Sequence, residues 1–177
     1  MPKTTATIAI RPARRSDLPA LGRLGAALAR AHHAWDQQRF FLTDRMEEGY
    51  AWWLGKELAN PAAVLLSAVR GRRVVGYAYG RLEPRDWNAL RDRCGFAIDL
   101  MVEPEARGAG IGRSLTEELA RRLVEKGAPR VVLQAAARNR SAQRLFRALG
   151  FRPTMVEMTR EAGNVPSRRP ASAARSR

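Results

Sequence analysis

One cysteine, Cys94, stands among 177 residues, so the chain can form no internal disulfide and no cysteine-based zinc site. A reduced, cytoplasmic setting is expected. Histidine is almost as scarce. Its two copies, His32 and His33, are adjacent, and neighbours on a helix point in different directions, so no metal pair and no metal are expected. Long apolar runs are missing too. No stretch nears the ~18 residues of a spanning helix, and Ile8-Ala9-Ile10 is too short for the core of an export signal. A soluble protein without membrane partners is the expectation. Acidic residues are few, 17 against 32 lysines and arginines, for a net charge of +15. That balance raises the question of nucleic acid. The arginines, however, are scattered through helical segments rather than gathered in one block, and no aromatic-rich RNA motif accompanies them. A basic RNA-associated module therefore stands as an alternative, and nucleic acid is not the expected partner.

What is present suits one domain with a sizeable core, since 45% of residues are apolar and 28% charged. Thr7 to Arg11 reads as a short strand. Ser16-Asp17 then caps a helix running toward Trp35, with Leu18, Leu21, Leu24 and Leu28 at helical spacing. Gly22 and Gly25 weaken that helix, which calls for close packing or a bend there. A second helix covers Asp44 to Leu58 and ends at Asn60-Pro61. Ala63 to Val69 and Arg73 to Leu82 form a hairpin around Arg70-Gly71-Arg72. After a charged loop, Glu83 to Arg93, come a strand at Gly95 to Val102, a helix carrying Leu115, Leu119 and Leu123, a strand at Arg130 to Gln134, a helix at Asn139 to Leu149, and a last strand at Pro153 to Arg160. Strands interleaved with helices predict a mixed α/β sheet covered on both faces. Residues 1–162 form the domain, and 163–177, with Pro166, Pro170, serines and arginines, read as a basic, disordered tail.

The most informative stretch joins the end of an apolar strand to the start of a helix, from Val102 through Arg107-Gly108-Ala109-Gly110-Ile111-Gly112-Arg113. Glycines let the backbone turn sharply and approach a ligand closely, so several amides can converge where the helix dipole is positive. A phosphate is the natural guest, and a plain tight turn is the competing explanation. Two familiar phosphate loops do not fit. A Walker loop would need glycine at Arg107 and lysine at Arg113, and a dinucleotide fingerprint starting at Gly108 meets Arg113 where its third glycine belongs.

An Arg/Gln-x-x-Gly-x-Gly pattern does fit, at Arg107, Gly110 and Gly112, preceded by Val102-x-Pro104. A second element follows at Asn139-Arg140-Ser141-Ala142-Gln143-Arg144-Leu145-Phe146-Arg147-Ala148-Leu149-Gly150-Phe151. Together they resemble the acyl-CoA-binding loop and the Asn-x-x-Ala-x-x-Leu-Tyr-x-x-x-Gly-Phe helix of the GCN5-related N-acetyltransferases. The resemblance implies the acyl-CoA N-acyltransferase fold, a mostly antiparallel sheet of six to seven strands with helices on both faces. It implies an N-acetyltransferase that moves an acetyl group from acetyl-CoA to a primary amine by direct attack, on a small-molecule or peptide acceptor. Members are often dimers, so a homodimer is compatible with it. The pantetheine arm would lie in a gap between the strands at Gly95–Val102 and Arg130–Gln134, against main-chain groups of Leu100, Met101 and Val102. The pyrophosphate would rest on amides of Arg107, Gly108, Ala109, Gly110, Ile111, Gly112 and Arg113, with Arg107 and Arg113 adding charge and Asn139 serving both as helix cap and cofactor contact.

Direct transfer needs a base, because a protonated amine has no lone pair. Asp99, in the strand three residues before Val102, is the leading general base, with an ion pair to a nearby arginine as its alternative role. Glu83 and Glu103 are weaker choices. The family's tyrosine, a proton donor to the leaving thiolate, is Phe146 here. Ser141, Tyr77, Tyr79 and Cys94 are unranked substitutes, and unassisted departure of the thiolate is another. Lost catalysis is the third, which makes a non-catalytic acyl-CoA sensor the second alternative. The acceptor side is expected from the first two helices and the loop at Glu83 to Arg93, where His32, Trp35, Tyr50, Trp52 and Trp53 offer aromatic and titratable groups.

Overall fold

Tyr77 and Tyr79 are completely buried in the middle of a strand, and the sheet that surrounds them explains why. In the computed structural model, which describes residues 7–164, five strands form one sheet in chain order. They are β1 (Ile8–Pro12), β2 (Ala63–Arg70), β3 (Arg73–Glu83), β4 (Cys94–Val102) and β5 (Val131–Leu133), and the helices are α1 (Leu18–Trp35), α2 (Met46–Glu57), α3 (Ile111–Glu125) and α4 (Arg140–Ala148). The first four strands pair antiparallel, and β5 joins β4 in parallel. β2 and β3 read as near-continuous apolar runs because both of their faces are covered.

Alternation along these strands sorts the core into two layers. Leu66, Ala68, Val75 and Ala78 face α3, where Ile111, Leu115, Leu119 and Leu123 form a helical stripe. Leu65, Tyr77, Tyr79 and Met101 face the other way, against Leu21, Leu24 and Leu54 of α1 and α2. The two weak glycines of α1 resolve as close packing. A Cβ on Gly25 would fall 2.2 Å from Cδ1 of Tyr50, and one on Gly22 would fall 2.5 Å from the carbonyl oxygen of Glu47. Their absence of side chains lets α2 lie directly on α1.

Three expectations are corrected. The strand read at Pro153 to Arg160 does not form: the segment is exposed, with no regular structure. The edge strand β5 is only three residues long, too short to template another ladder, and Pro153 has no amide to donate. The sheet therefore has five strands rather than six to seven. Asp17 occupies the N-cap position of α1 without a capping bond. Its buried carboxylate instead accepts both guanidinium nitrogens of Arg11 at 2.6 and 2.9 Å, the Arg14 amide and the Ser67 hydroxyl. Of the predicted tail, residues 165–177 lie outside the described residues. Among the described helices none is long and apolar enough to cross a membrane.

Candidate active site

β4 and β5 pair only from Gly95 to Ala97, opposite Val131 to Leu133. Beyond Ala97 the two strands separate. A cavity of about 290 Å³ fills the gap. On one side it is walled by Leu28 and His32 of α1, Phe40 and Phe41 of the α1–α2 connection, and Met46 and Tyr50 of α2. Thr116 of α3 and Asn139, Ala142 and Phe146 at α4 wall the other side, and Ala97 to Leu100 of β4 run between.

Asp99 sits where the two halves meet. The register of β3 with β4 slips at this point, because Tyr79 pairs with Asp99 while Gly80 pairs with Ala97. Ile98 is thus an extra residue, a β-bulge that re-aims the strand beside the gap. The Tyr77 hydroxyl donates to Asp99 Oδ2 at 2.9 Å. Burial pushes the Asp99 carboxyl up to about 6, while the Tyr77 hydrogen bond opposes that rise. The expected alternative, an ion pair with an arginine, is not what the geometry shows. Tyr50, across the cavity, is held protonated well above the usual phenol range by burial and by the negative charge of Asp99. His32 places Nδ1 2.9 Å from the Leu28 carbonyl oxygen. A carbonyl only accepts, so Nδ1 carries a proton, and in the neutral ring Nε2 holds the lone pair.

At the far end of β4 a single helical turn, Pro104–Ala106, leads into the glycine loop. Gly108 and Gly110 have φ of 82° and 77°, a left-handed backbone that side chains oppose. Gly112 lies inside α3 and needs no such freedom. A Cβ there would meet only Leu145, at an ordinary 3.4 Å. The amides from Gly108 to Arg113 have no hydrogen-bond partner among the described residues, and they surround the positive end of the α3 dipole. This is the arrangement that binds anions at helix starts.

The side chains of the loop do less than its backbone. Ile111 is buried in the α3 core and Ala109 is exposed. The Arg113 guanidinium pairs with Glu117 at 3.2 Å. Arg107 turns back, donating to the Val102 carbonyl oxygen at 3.1 Å. Leu100 lines the cavity, whereas Met101 is buried toward α1 and α2, and Val102 packs toward α3. Asn139 accepts the Ala142 amide at 3.1 Å as a helix cap and also lines the cavity.

Several sequence expectations fall outside this cavity. Glu83 pairs with Arg81, and Glu103 with Arg73. Tyr79 donates to Glu57, Cys94 is buried away from the gap, and Ser141 is exposed on α4. The loop at Glu83 to Arg93 does not contribute to the lining. The connection between α1 and α2 takes its place, tied by Arg39 to Glu157 of the irregular segment after α4. Nothing in the local pattern of residues 36–45 marks them as a wall, because their role depends on where two helices meet. Trp53 packs in the core on Tyr79, while Trp52 is exposed beneath Lys56.

A sheet opened between its fourth and fifth strands, with an amide-lined loop at the mouth of the opening, defines the acyl-CoA N-acyltransferase fold. The sequence profile of the acetyltransferase (GNAT) family matches residues 28–151, and the chain belongs to that family. A mycothiol acetyltransferase of Pseudarthrobacter chlorophenolicus is 34% identical over 110 residues, covering 62% of this chain and 31% of the relative. The chain thus spans about a third of that relative's length. Two solved structures share the fold. An aminoglycoside N-acetyltransferase in complex with CoA aligns with a TM-score of 0.72 at 19% identity, over 92% of this chain and 99% of that one. A predicted acetyltransferase of Clostridium acetobutylicum, solved with acetyl-CoA, aligns with a TM-score of 0.66 at 18% identity, over 86% and 96%.

Proposed function

We propose that this protein is an N-acetyltransferase that moves an acetyl group from acetyl-CoA to a primary amine, with Asp99 as the general base. The observation that carries the reading is the place of Asp99, a carboxylate of raised pKa facing the gap at which the β4 edge becomes free. The pyrophosphate rests on the amides of Gly108 to Arg113. The pantetheine arm pairs along the free edge at Leu100 to Val102, where Arg107 releases the Val102 carbonyl. Acetyl-bearing sulfur then lies near Asp99, with the acceptor entering from the α1–α2 side.

The neutral amine attacks the thioester carbonyl, its proton passes to Asp99, the C–S bond breaks and the thiolate leaves. Alignment supplies much of the rate. Phe146 holds the usual tyrosine position, stacked edge-on against Phe151 at 5.9 Å, and offers no proton. Tyr50 is a hydrogen-bond donor rather than an acid, since its raised pKa makes proton release costly. The thiolate therefore departs unassisted, which a thiol pKa of ~8.5 allows.

Phe146 also favours a second reading, a domain that binds acyl-CoA without turnover. Calorimetric titration with acetyl-CoA, followed by a thiol-release assay over an amine panel, separates the two. Binding with no amine-dependent release of CoA would establish the sensor, and failure to bind CoA would sink both.

A further inference from the structure

The acceptor half of the cavity carries little charge, and that narrows the acceptor if the transfer reading holds. Its wall consists largely of Leu28, Phe40, Phe41, Met46 and Ile98; Asp99 is the one carboxylate among the lining residues, and Arg39, the one arginine among them, is paired with Glu157. Acids on the flanking segments are already engaged. Glu157 is paired with Arg39, Glu47 faces Arg30 at 3.4 Å, and Asp36 accepts the amides of Gln38 and Arg39 at 3.1 Å.

A second or third ammonium group would therefore meet apolar surface, and burying an unpaired charge there is strongly unfavourable. The whole chain, at +15, repels polycations at longer range as well. An acceptor with one charge and an apolar body meets neither obstacle. Its ammonium faces Asp99, its body covers Leu28, Phe41 and Met46, and His32 Nε2 is free to accept one N–H or O–H.

We propose that the acceptor is a primary amine with a single positive charge and an apolar, ring-sized or branched body, rather than a polyamine or an aminoglycoside. The amine sits at Asp99, and Met46 and Phe41 set the preference for the body.

The test uses the full chain saturated with CoA, into which phenethylamine and spermidine are titrated calorimetrically at fixed salt. Phenethylamine should bind at least tenfold more tightly. Equal affinity, tighter spermidine binding, or no saturable phenethylamine binding would overturn the assignment. Met46→Glu adds a carboxylate to the wall at the first turn of α2, where an acid suits the helix dipole. It should shift the ratio at least tenfold toward spermidine, and an unchanged ratio would remove Met46 from the site. Turnover is measured separately. Phenethylamine that binds but releases no CoA from acetyl-CoA would overturn the transferase reading while upholding the acceptor class.

Discussion

The Tyr77 hydroxyl donates from inside the core to one oxygen of Asp99 at 2.9 Å, and Asp99 in turn lines the cavity. Two tendencies compete at that carboxylate. Burial favours the neutral acid, the hydrogen bond favours the anion, and burial wins by enough to place the group near 6. The position makes Asp99 ionised at neutral pH yet costly to ionise.

That cost predicts a pH-dependent effect of Asp99→Asn. Because the folded-state value is raised from 3.8 to about 6, any stability from Asp99 is present below pH ~4 and lost as pH rises through about 6. The variant should be more stable than the parent at pH 8, by about 1–3 kcal/mol, with the gap closing near pH 4. Urea titrations at both values check this. Turnover should fall by ~10²–10⁴ if Asp99 is the base, and an unaltered pH–rate profile would remove it from that role.

Tyr77→Phe should shift the acid limb of kcat/KM upward, since it deletes the one interaction that lowers the Asp99 value. The ring remains, so stability changes little beyond the lost hydrogen bond of about 1 kcal/mol. A limb that stays in place would show that the limb reports another group.

The glycines of the loop should behave differently from one another. Gly110→Ala must hold a side chain at a φ of 77°, a strain of about 1–2 kcal/mol that relaxes by tilting the cradle amides. Its CoA affinity should drop at least tenfold by calorimetry. Gly112→Ala, in a helix and against Leu145 at 3.4 Å, should leave thermal stability unchanged or raise it by about 0.5–1 kcal/mol.

Gly25→Ala improves helix propensity by about 1 kcal/mol, yet it should destabilise the protein. Its Cβ would fall 2.2 Å from the Tyr50 ring, so α2 must move or the ring must swing into the cavity. Thermal denaturation should show a lower Tm, and an increase would mean that the α1–α2 contact is looser than described.

Acid should unfold the domain through Asp17. Arg11 holds that carboxyl down to about 2, so its stabilisation is present above pH ~4 and disappears as pH falls through about 2. Asp17→Asn should cost about 2–4 kcal/mol at pH 7 and much less near pH 2. Denaturation midpoints measured at both values provide the check.

The glycine loop and the Asn139 helix were legible as local patterns because each is a local object. A turn with positive φ requires glycine, and an exposed helix start invites asparagine. The leucine stripes of α1 and α3 were legible for the same reason, since periodicity records which face is buried. The segment at Pro153 to Arg160 has a plausible strand composition, but a strand needs a partner edge, and a three-residue β5 offers almost none. Arg39, Phe40, Phe41 and Met46 carry no readable pattern, because they become a wall only through the meeting of α1 and α2.

By itself, then, the amino-acid sequence determined the order of elements through α4, the two core faces and the loop at which backbone amides converge. These depend on interactions between residues close in the chain. Only the tertiary structure decided that Asp99 takes Tyr77 rather than an arginine, that strand pairing stops beyond Ala97, and that the α1–α2 side of the cavity is largely apolar, with Asp99 the one carboxylate in the lining. Those features arise where distant segments meet, and burial at that meeting sets both the ionisation of Asp99 and the charge the cavity can accept.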